Sequence, residues 1–375
     1  MDISLSKAQK DIAKEARRFL KKECTIDYIH EMYEDESGFS DDLWDKMAAM
    51  DWMAMRIPEA YGGMEMEQID LNLVLEEMGR AAVPGPFFST VMLAAEAILH
   101  AGNEAQKETY LAGIADGKLK GTLALYEPDS GSDPGYIYMQ ARADGDGFVL
   151  NGTKLCVPDA HLVDIMICAA RSDDGVTLFV VDTAAADGLK ITPLPSMDAT
   201  RRLSAVEFNN VRLGPESILG ERNQGWKPLQ RVLQRAQVGL AAECLGGAQY
   251  AMETATDYAK VRVQYDQPIG GFQAIKHRCA DMFVAVESSR SILYWAAWAQ
   301  DHADVKEAAL AASAAKAFCT EAFTQVASGA IQVLGGTGFT WENGMHVYLK
   351  RAKANEAAFG DPDFHRERVV QLLTE

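Results

Sequence analysis

Two stretches of this chain carry carboxylates where proton chemistry could be built. The first is LAAECLGG, residues 240–247, in which Glu243 stands among apolar and small residues. A glutamate in such a run is rarely buried without a partner or a purpose. A carboxylate held there could serve as a general base. The alternatives are a carboxylate neutralised by a buried Arg or Lys, or a packing contact between helices. The second stretch is LKRAKANEAAFGDP, residues 349–362, with Glu356 and Asp361. It reads as a helix end, a Gly break and a Pro stop.

Other chemistries are excluded early. The six cysteines, Cys24, Cys156, Cys168, Cys244, Cys279 and Cys319, form no CxxC pair and no metal-ligand spacing, so they read as reduced thiols. A formal charge of -18 argues against nucleic acid as a partner. It leaves room for a small anionic ligand held by local arginines and helix N-termini. The polar start MDISLSKAQKDIAKEARRFL has no apolar secretion-signal core, and no apolar run of about 18 residues spans a membrane. The expected compartment is the cytoplasm.

The elements that must position these residues change period twice along the chain. Residues 1–118 show apolar positions at helical spacing, as in SLSKAQKDIAKEARRFLKKE behind a Ser cap. Residues 119–222 break into short strand-like runs separated by Gly, Asp and Asn, with a hairpin signal at ADGDGFVLNG. Residues 223–375 return to long helical patterns rich in Ala, the first of them running from WKPLQ to VRVQY. The expected fold is α+β, with an N-terminal helical domain, a middle β-domain and a C-terminal four-helix bundle.

A series of motifs in this order resembles the acyl-CoA dehydrogenase family. They are EPDSGSD at 127–133, DGDGFVLNGTK at 144–154, EFNNVRLGPESILGERNQGW at 207–226, ATDYAKVRVQYDQPIGGFQAIKHRCADM at 255–282 and QVLGGTGFTWE at 332–342. The resemblance covers nearly the whole chain. It implies an oxidoreductase of lipid metabolism that binds FAD and an acyl-CoA thioester, assembles as a tetramer and passes electrons to an electron-transfer flavoprotein. WEN followed by HVYLKRAK and FGDP looks like the branch acting on steroid side-chain and aromatic or alicyclic acyl-CoA substrates, some of whose members are mixed tetramers.

The resemblance also places the cofactor. It implies a flavin-lining segment from Glu127 to Asp133 that includes Ser132, with Tyr126 where many members have a Thr. Pro158 stands at a position that usually donates to the flavin, and Cys156 where a Trp is common. Arg262, Gln264 and Tyr265 match an arm that reaches toward a neighbour's FAD pyrophosphate. Gln273 fits a family glutamine, and Gln332, Gly335, Gly336 and Gly338 match a glycine-rich segment that packs on the cofactor.

Both family positions for the catalytic base are empty of carboxylate. They fall on Phe359 and Ala236, with Gln237 where many members have an Arg. Glu243 is seven residues beyond Ala236, which returns to within about 20° of the same helix face, roughly 10 Å further along. Glu243 is therefore the first candidate base and Asp361 the second. Glu342 reads as a loop or cap residue. The expected activity is FAD-dependent α,β-dehydrogenation of an acyl-CoA, bulky or ring-bearing. The alternatives are a base-lacking partner subunit of a mixed tetramer, and a flavin oxidase or lyase on the same fold.

Overall fold

The computed structural model describes residues 4–374 except 131, 132, 134 and 174. Helix α1 (Lys7–Glu23) opens on a capping box in which Ser6 and Gln9 satisfy each other's backbone N–H groups. Helices α2 (Ile26–Glu34), α3 (Asp41–Ala48) and α4 (Gln68–Arg80) follow. A π-helical stretch, Ser89–Ala95, runs directly into α5 (Glu96–Ala101). A second capping box, Asn103 with Gln106, starts α6 (Glu104–Ala115).

The strands are β1 (Gly121–Ala124), β2 (Gln140–Asp144), β3 (Gly147–Pro158), β4 (Ile165–Ser172), β5 (Gly175–Asp182), β6 (Leu189–Leu194), β7 (Leu203–Leu213) and β8 (Ile218–Leu219). They form one sheet in the order β6-β7-β3-β2-β4-β5-β8, with β1 parallel to β4. The expected hairpin is β2–β3, closed at the Asp144–Gly147 pair with Gly145 in the left-handed region. Phe148, Leu150, Phe179, Val206 and Phe208 form the centre of this sheet's core.

Helix α7 (Trp226–Val261) comes next, then a two-stranded hairpin of β9 (Val263–Gln264) and β10 (Gln267–Pro268). The helical pattern expected to continue through VRVQY therefore stops earlier. Tyr265 and Asp266 both take left-handed φ angles, 52° and 63°, and form the two-residue turn. Helices α8 (Gln273–His302), α9 (Val305–Leu334), α10 (Met345–Ala357) and α11 (Pro362–Thr374) complete the chain.

Packing divides the chain into two compact units. One contains the residues up to Glu31, Gln68–Val83 and everything from Gln237 onward; the other contains Met32–Glu67 and Pro84–Ala236. In the first, α9 is the central helix, with Ala, Gly and Ser at most of its buried positions, and α8, α10 and α11 pack on it. Helices α4 and α7 approach to backbone contact. A Cβ added to Gly246 would lie 1.7 Å from the Glu76 carbonyl oxygen, and one on Gly79 2.0 Å from that of Glu243. In the second, the sheet packs its buried face with the Ser89–Ala95 stretch against β1.

Among the described residues no helix is long and apolar enough to cross a membrane. No group of three His, Cys, Asp or Glu side chains among them could hold a metal ion.

Candidate functional site

Glu243 sits on α7 and is 4% exposed, between the fully buried Ala242 and Cys244. Its backbone is the surface against which Gly79 of α4 packs. The same end of α4 receives a second buried charge: Arg351 of α10, with no exposed surface, donates Nη2 to the Val83 carbonyl at 2.9 Å. The bundle thus encloses both a carboxylate and a guanidinium, each costly to bury without compensation.

The two acids of the C-terminal stretch have structural tasks. Asp361 Oδ1 accepts from Phe364 N at 2.8 Å, an N-cap for α11, whose first residue is Pro362. Glu356 Oε2 accepts from Thr324 Oγ1 at 2.6 Å and Lys353 Nζ at 3.0 Å. Burial would raise the Glu356 carboxyl, but these partners hold it below the usual range.

Phe359 and Gly360 both have left-handed φ, 57° and 96°. A phenylalanine in that region is strained and must be held by its surroundings. Three side chains do so. Gln237 Nε2 reaches the Phe359 carbonyl at 3.4 Å, and His365 Nε2 reaches it at 2.9 Å. Lys316 Nζ donates to the carbonyls of Gly360 at 2.8 Å and Glu356 at 3.2 Å. Burial lowers the Lys316 ammonium to about 8, and burial, helped by that neighbouring charge, lowers His365 to about 4. The structure therefore brings together one expected base position, Phe359, and the residue next to the other, Gln237.

The cofactor candidates of this unit gather at one end of α8 and α9. These helices run antiparallel through the two-residue link at Ala303 and Asp304, and a Cβ on Gly329 would lie 3.1 Å from Met282 Sδ. That register carries Gln273, at the start of α8, toward Gln332, Gly335 and Gly336 at the end of α9. Gly335 has φ 65° and ψ −139°, a conformation essentially restricted to glycine. An added Cβ on Gly335 or Gly336 would meet nothing within 4 Å. The Gly335 N–H closes α9 on the Ile331 carbonyl, and the side-chain space left open at both glycines allows a ligand to approach the main chain closely. Gly338 is buried and packs on Ile331 instead. Arg262, Gln264, Tyr265 and Gln273 are all exposed, Tyr265 by 87%.

In the other unit the segment beginning at Tyr126 is held from below. The Tyr126 carbonyl accepts from Leu155 N at 2.8 Å. Glu127 accepts from Lys154 Nζ at 2.6 Å and from the backbone N–H groups of Tyr138 and Met139. Lys154 has no exposed surface and also donates to the Leu125 carbonyl at 3.0 Å. Pro158 closes β3, and its carbonyl accepts from Thr122 Oγ1 at 2.6 Å. Cys156, where a Trp was the family expectation, is exposed at a register shift of β3 against β7 with φ 53°, a bulge position. Ser132 lies outside the described residues.

Sequence reasoning missed Lys154 as a site residue, although a signal existed. It occupies the inward register of a strand whose other inward residues, Phe148 and Leu150, are apolar. It also missed the cluster around Glu96. Burial would raise this fully enclosed carboxyl, but Arg56 at 3.2 Å, His100 at 3.2 Å and Arg235 at 3.6 Å hold it well below the usual range. The i,i+4 spacing of Glu96 and His100 was readable; the two arginines come from distant sequence.

Comparison with known proteins identifies the family and the fold. Residues 6–118, 122–211 and 223–373 match, in turn, the N-terminal, middle and C-terminal domains of acyl-CoA dehydrogenases. The chain is 32% identical to probable acyl-CoA dehydrogenase YngJ of Bacillus subtilis, with 100% of both chains covered. It is also 32% identical to the 3-(aryl)acrylate reductase of Clostridium sporogenes, covering 88% of each. Its fold superposes with a TM-score of 0.92 on a chain of the ChsE4-ChsE5 complex from Mycobacterium tuberculosis, at 26% identity over 100% of this chain and 99% of that one.

Proposed function

Because the chain belongs to the acyl-CoA dehydrogenase family, we propose that it is an FAD-dependent dehydrogenase that introduces an α,β double bond into a bulky or ring-bearing acyl-CoA. The observation that carries this reading is Glu243, a buried carboxylate on the face of α7 that also carries Ala236. The residues present fit the cofactor. Gly335 and Gly336 offer open main chain for a pyrophosphate, and Gln332, Arg262 and Gln273 supply polar side chains at the same end of the bundle. The Glu127–Lys154 pair fixes the loop assigned to the flavin ring. When bound, FAD supplies the acceptor for the substrate's β-hydrogen.

The chain's own task is the α-proton. Glu243 accepts it from the carbon next to the thioester carbonyl, from a buried position on α7. The distance between Ala236 and Glu243, about two helical turns, suits a substrate whose α-carbon lies deeper than in relatives with a base near Ala236. The 3-(aryl)acrylate reductase relative supports a ring-bearing acyl group. Electrons then leave to an electron-transfer flavoprotein.

The exposed arm at Arg262, Gln264 and Tyr265 supports an oligomer in which it completes a neighbour's cofactor site. Val261, Val263, Phe283 and Val284 are also more than half exposed, more apolar surface than a lone chain usually shows in one region. A second reading is favoured by the absence of carboxylate at Ala236 and Phe359 and by the likeness to the ChsE4-ChsE5 complex. In it this chain shares a mixed tetramer with a related subunit that supplies the base.

The test is the purified full chain alone. Its flavin content is measured, and ring-bearing and straight-chain acyl-CoAs are added without oxygen. Bleaching of the flavin band with loss of two hydrogens from the thioester supports the dehydrogenase. Flavin or activity that emerges only with a second subunit supports the mixed assembly and sinks the first reading.

A further inference from the structure

Two histidines far apart in sequence meet beside the turn that leads into α10. His30 lies on α2 and His346 on α10. Their ring planes are parallel to within 4°, with centroids 6.4 Å apart. Trp341 meets both rings edge to face, 5.3 Å from His30 and 4.5 Å from His346 between centroids. Gly344 brings the two elements together. A Cβ there would lie 2.2 Å from Ile26 Cδ1, so the start of α2 is seated directly on the turn.

The fold encloses polar atoms here that it does not pair. His30 Nε2 and His346 Nε2 are both buried, and neither has a hydrogen-bond partner among the described residues. Asn343 Oδ1, in the turn between Trp341 and His346, is in the same condition. An enclosed nitrogen that the protein leaves unpaired carries a desolvation cost. Two such atoms on neighbouring imidazoles favour a shared ligand. Burial and the neighbouring Lys350 charge hold His346 below the usual imidazole range. Its ring is therefore neutral near pH 7, the form in which imidazole coordinates a metal. Glu342, on the same turn, is held below the usual carboxylate range by its own backbone N–H, by Thr340 and by His30. That carboxylate offsets the Lys350 ammonium, whose Nζ lies 5.5 Å from the Trp341 ring centre.

We propose that His30 and His346 are the protein ligands of a divalent transition-metal site of the zinc type. A metal lies about 2.0–2.1 Å from the imidazole nitrogen that binds it, so two rings sharing one ion have centroids roughly 5–6.5 Å apart. The observed 6.4 Å falls in that range. Imidazole suits Zn²⁺, Ni²⁺ and Cu²⁺, whereas Mg²⁺ and Ca²⁺ take oxygen ligands. Two protein ligands make an open site rather than a closed cluster, with water completing the shell. The bound ion ties α2 to the turn between the Gly335–Phe339 stretch and α10. The dehydrogenation chemistry does not use this contact, so the proposal stands apart from that reading.

The test uses the full chain, stripped of metal with a chelator and titrated with Zn²⁺ by calorimetry. Beside it stand His30→Gln, His346→Gln and, as a control on the exposed part of α8, His277→Gln. The wild type should take up one ion per chain and unfold at a higher temperature with zinc than without it. His30→Gln and His346→Gln should each bind at least about 10-fold more weakly and lose the zinc-dependent rise. His277→Gln should match the wild type. Ni²⁺ should quench part of the tryptophan emission, and Trp341→Phe, which keeps an aromatic ring in place, should remove that part. This second readout decides the matter even where a histidine variant fails to fold. A wild type that binds no zinc, or binds it as weakly as both site variants do, overturns the proposal. An equal loss in His277→Gln also overturns it, by placing the ion on surface histidines. So does nickel quenching that persists unchanged in Trp341→Phe.

Discussion

The side-chain amide of Gln237 donates to the main-chain carbonyl of Phe359 across 122 residues of sequence. It joins the first half of the bundle's longest helix to the strained turn after α10. His365 binds the same carbonyl, and Lys316 the next one. The turn is therefore kept in shape by three helices although its own side chain cannot take a proton. Phe359→Glu would place a carboxylate there at little new backbone cost, because Phe359 already pays for the left-handed φ. In a Glu243→Gln background, Phe359→Glu should restore at least part of the lost flavin bleaching with a short acyl-CoA. No recovery, with flavin retained, would show that the turn no longer faces a substrate.

Lys154→Met leaves Glu127 buried with only backbone donors. Removing one partner of a buried pair typically costs about 3–5 kcal/mol, so the urea midpoint should fall accordingly. Glu127→Gln together with Lys154→Met should recover much of that loss. A single variant as stable as the wild type would show that the pair does not hold the loop.

Much of this was legible in the sequence, and the failures have physical causes. The three-part order and the β2–β3 hairpin follow from hydrophobic period and turn residues, which are local. The β9–β10 hairpin was not legible, because two-residue strands leave no alternation to read and the helical pattern runs up to them. The Glu127–Lys154 and Gln237–Phe359 contacts join residues 27 and 122 positions apart. Neither has a sequence signature beyond a lysine in an inward register and a glutamine in a helix. At Asp361 the sequence does not separate two roles, because a helix cap and a catalytic acid share the same residue type, and the structure shows the cap.

Two glycines of similar appearance should respond differently. Gly246→Ala puts a methyl group 1.7 Å from the Glu76 carbonyl oxygen, a backbone atom that cannot step aside. It should cost about 3 kcal/mol or leave the chain unfolded. Gly336→Ala meets open space. It should change folding stability by less than about 0.5 kcal/mol, and weaken FAD retention during gel filtration. Equal effects of the two on stability would contradict the contact between α4 and α7.

Acid should find His365. Its imidazole stays neutral down to about 4 because it is buried and faces Lys316. Between pH 6.5 and 4 the unfolded chain takes up a proton that the folded chain refuses. Stability therefore falls as pH drops through that window, by up to about 3 kcal/mol from this group. Above the window both states are neutral and His365 contributes nothing. Lys316, lowered to about 8, acts on the alkaline side. From there to its ordinary 10.5 the unfolded chain holds the extra proton, so stability rises with pH. His365→Gln should flatten the acid-side slope of the urea midpoint, and an unchanged slope would assign it to other groups.

The most direct measurement is anaerobic flavin bleaching by the Glu243→Gln variant beside the wild-type chain, each purified alone and matched for FAD. The wild type should bleach with a ring-bearing acyl-CoA, and the variant should keep its FAD and bind the thioester yet bleach at least about 100-fold more slowly, the loss typical of a missing general base. A variant that bleaches at the wild-type rate would contradict the role of Glu243 and return the search for the base to another residue or another chain.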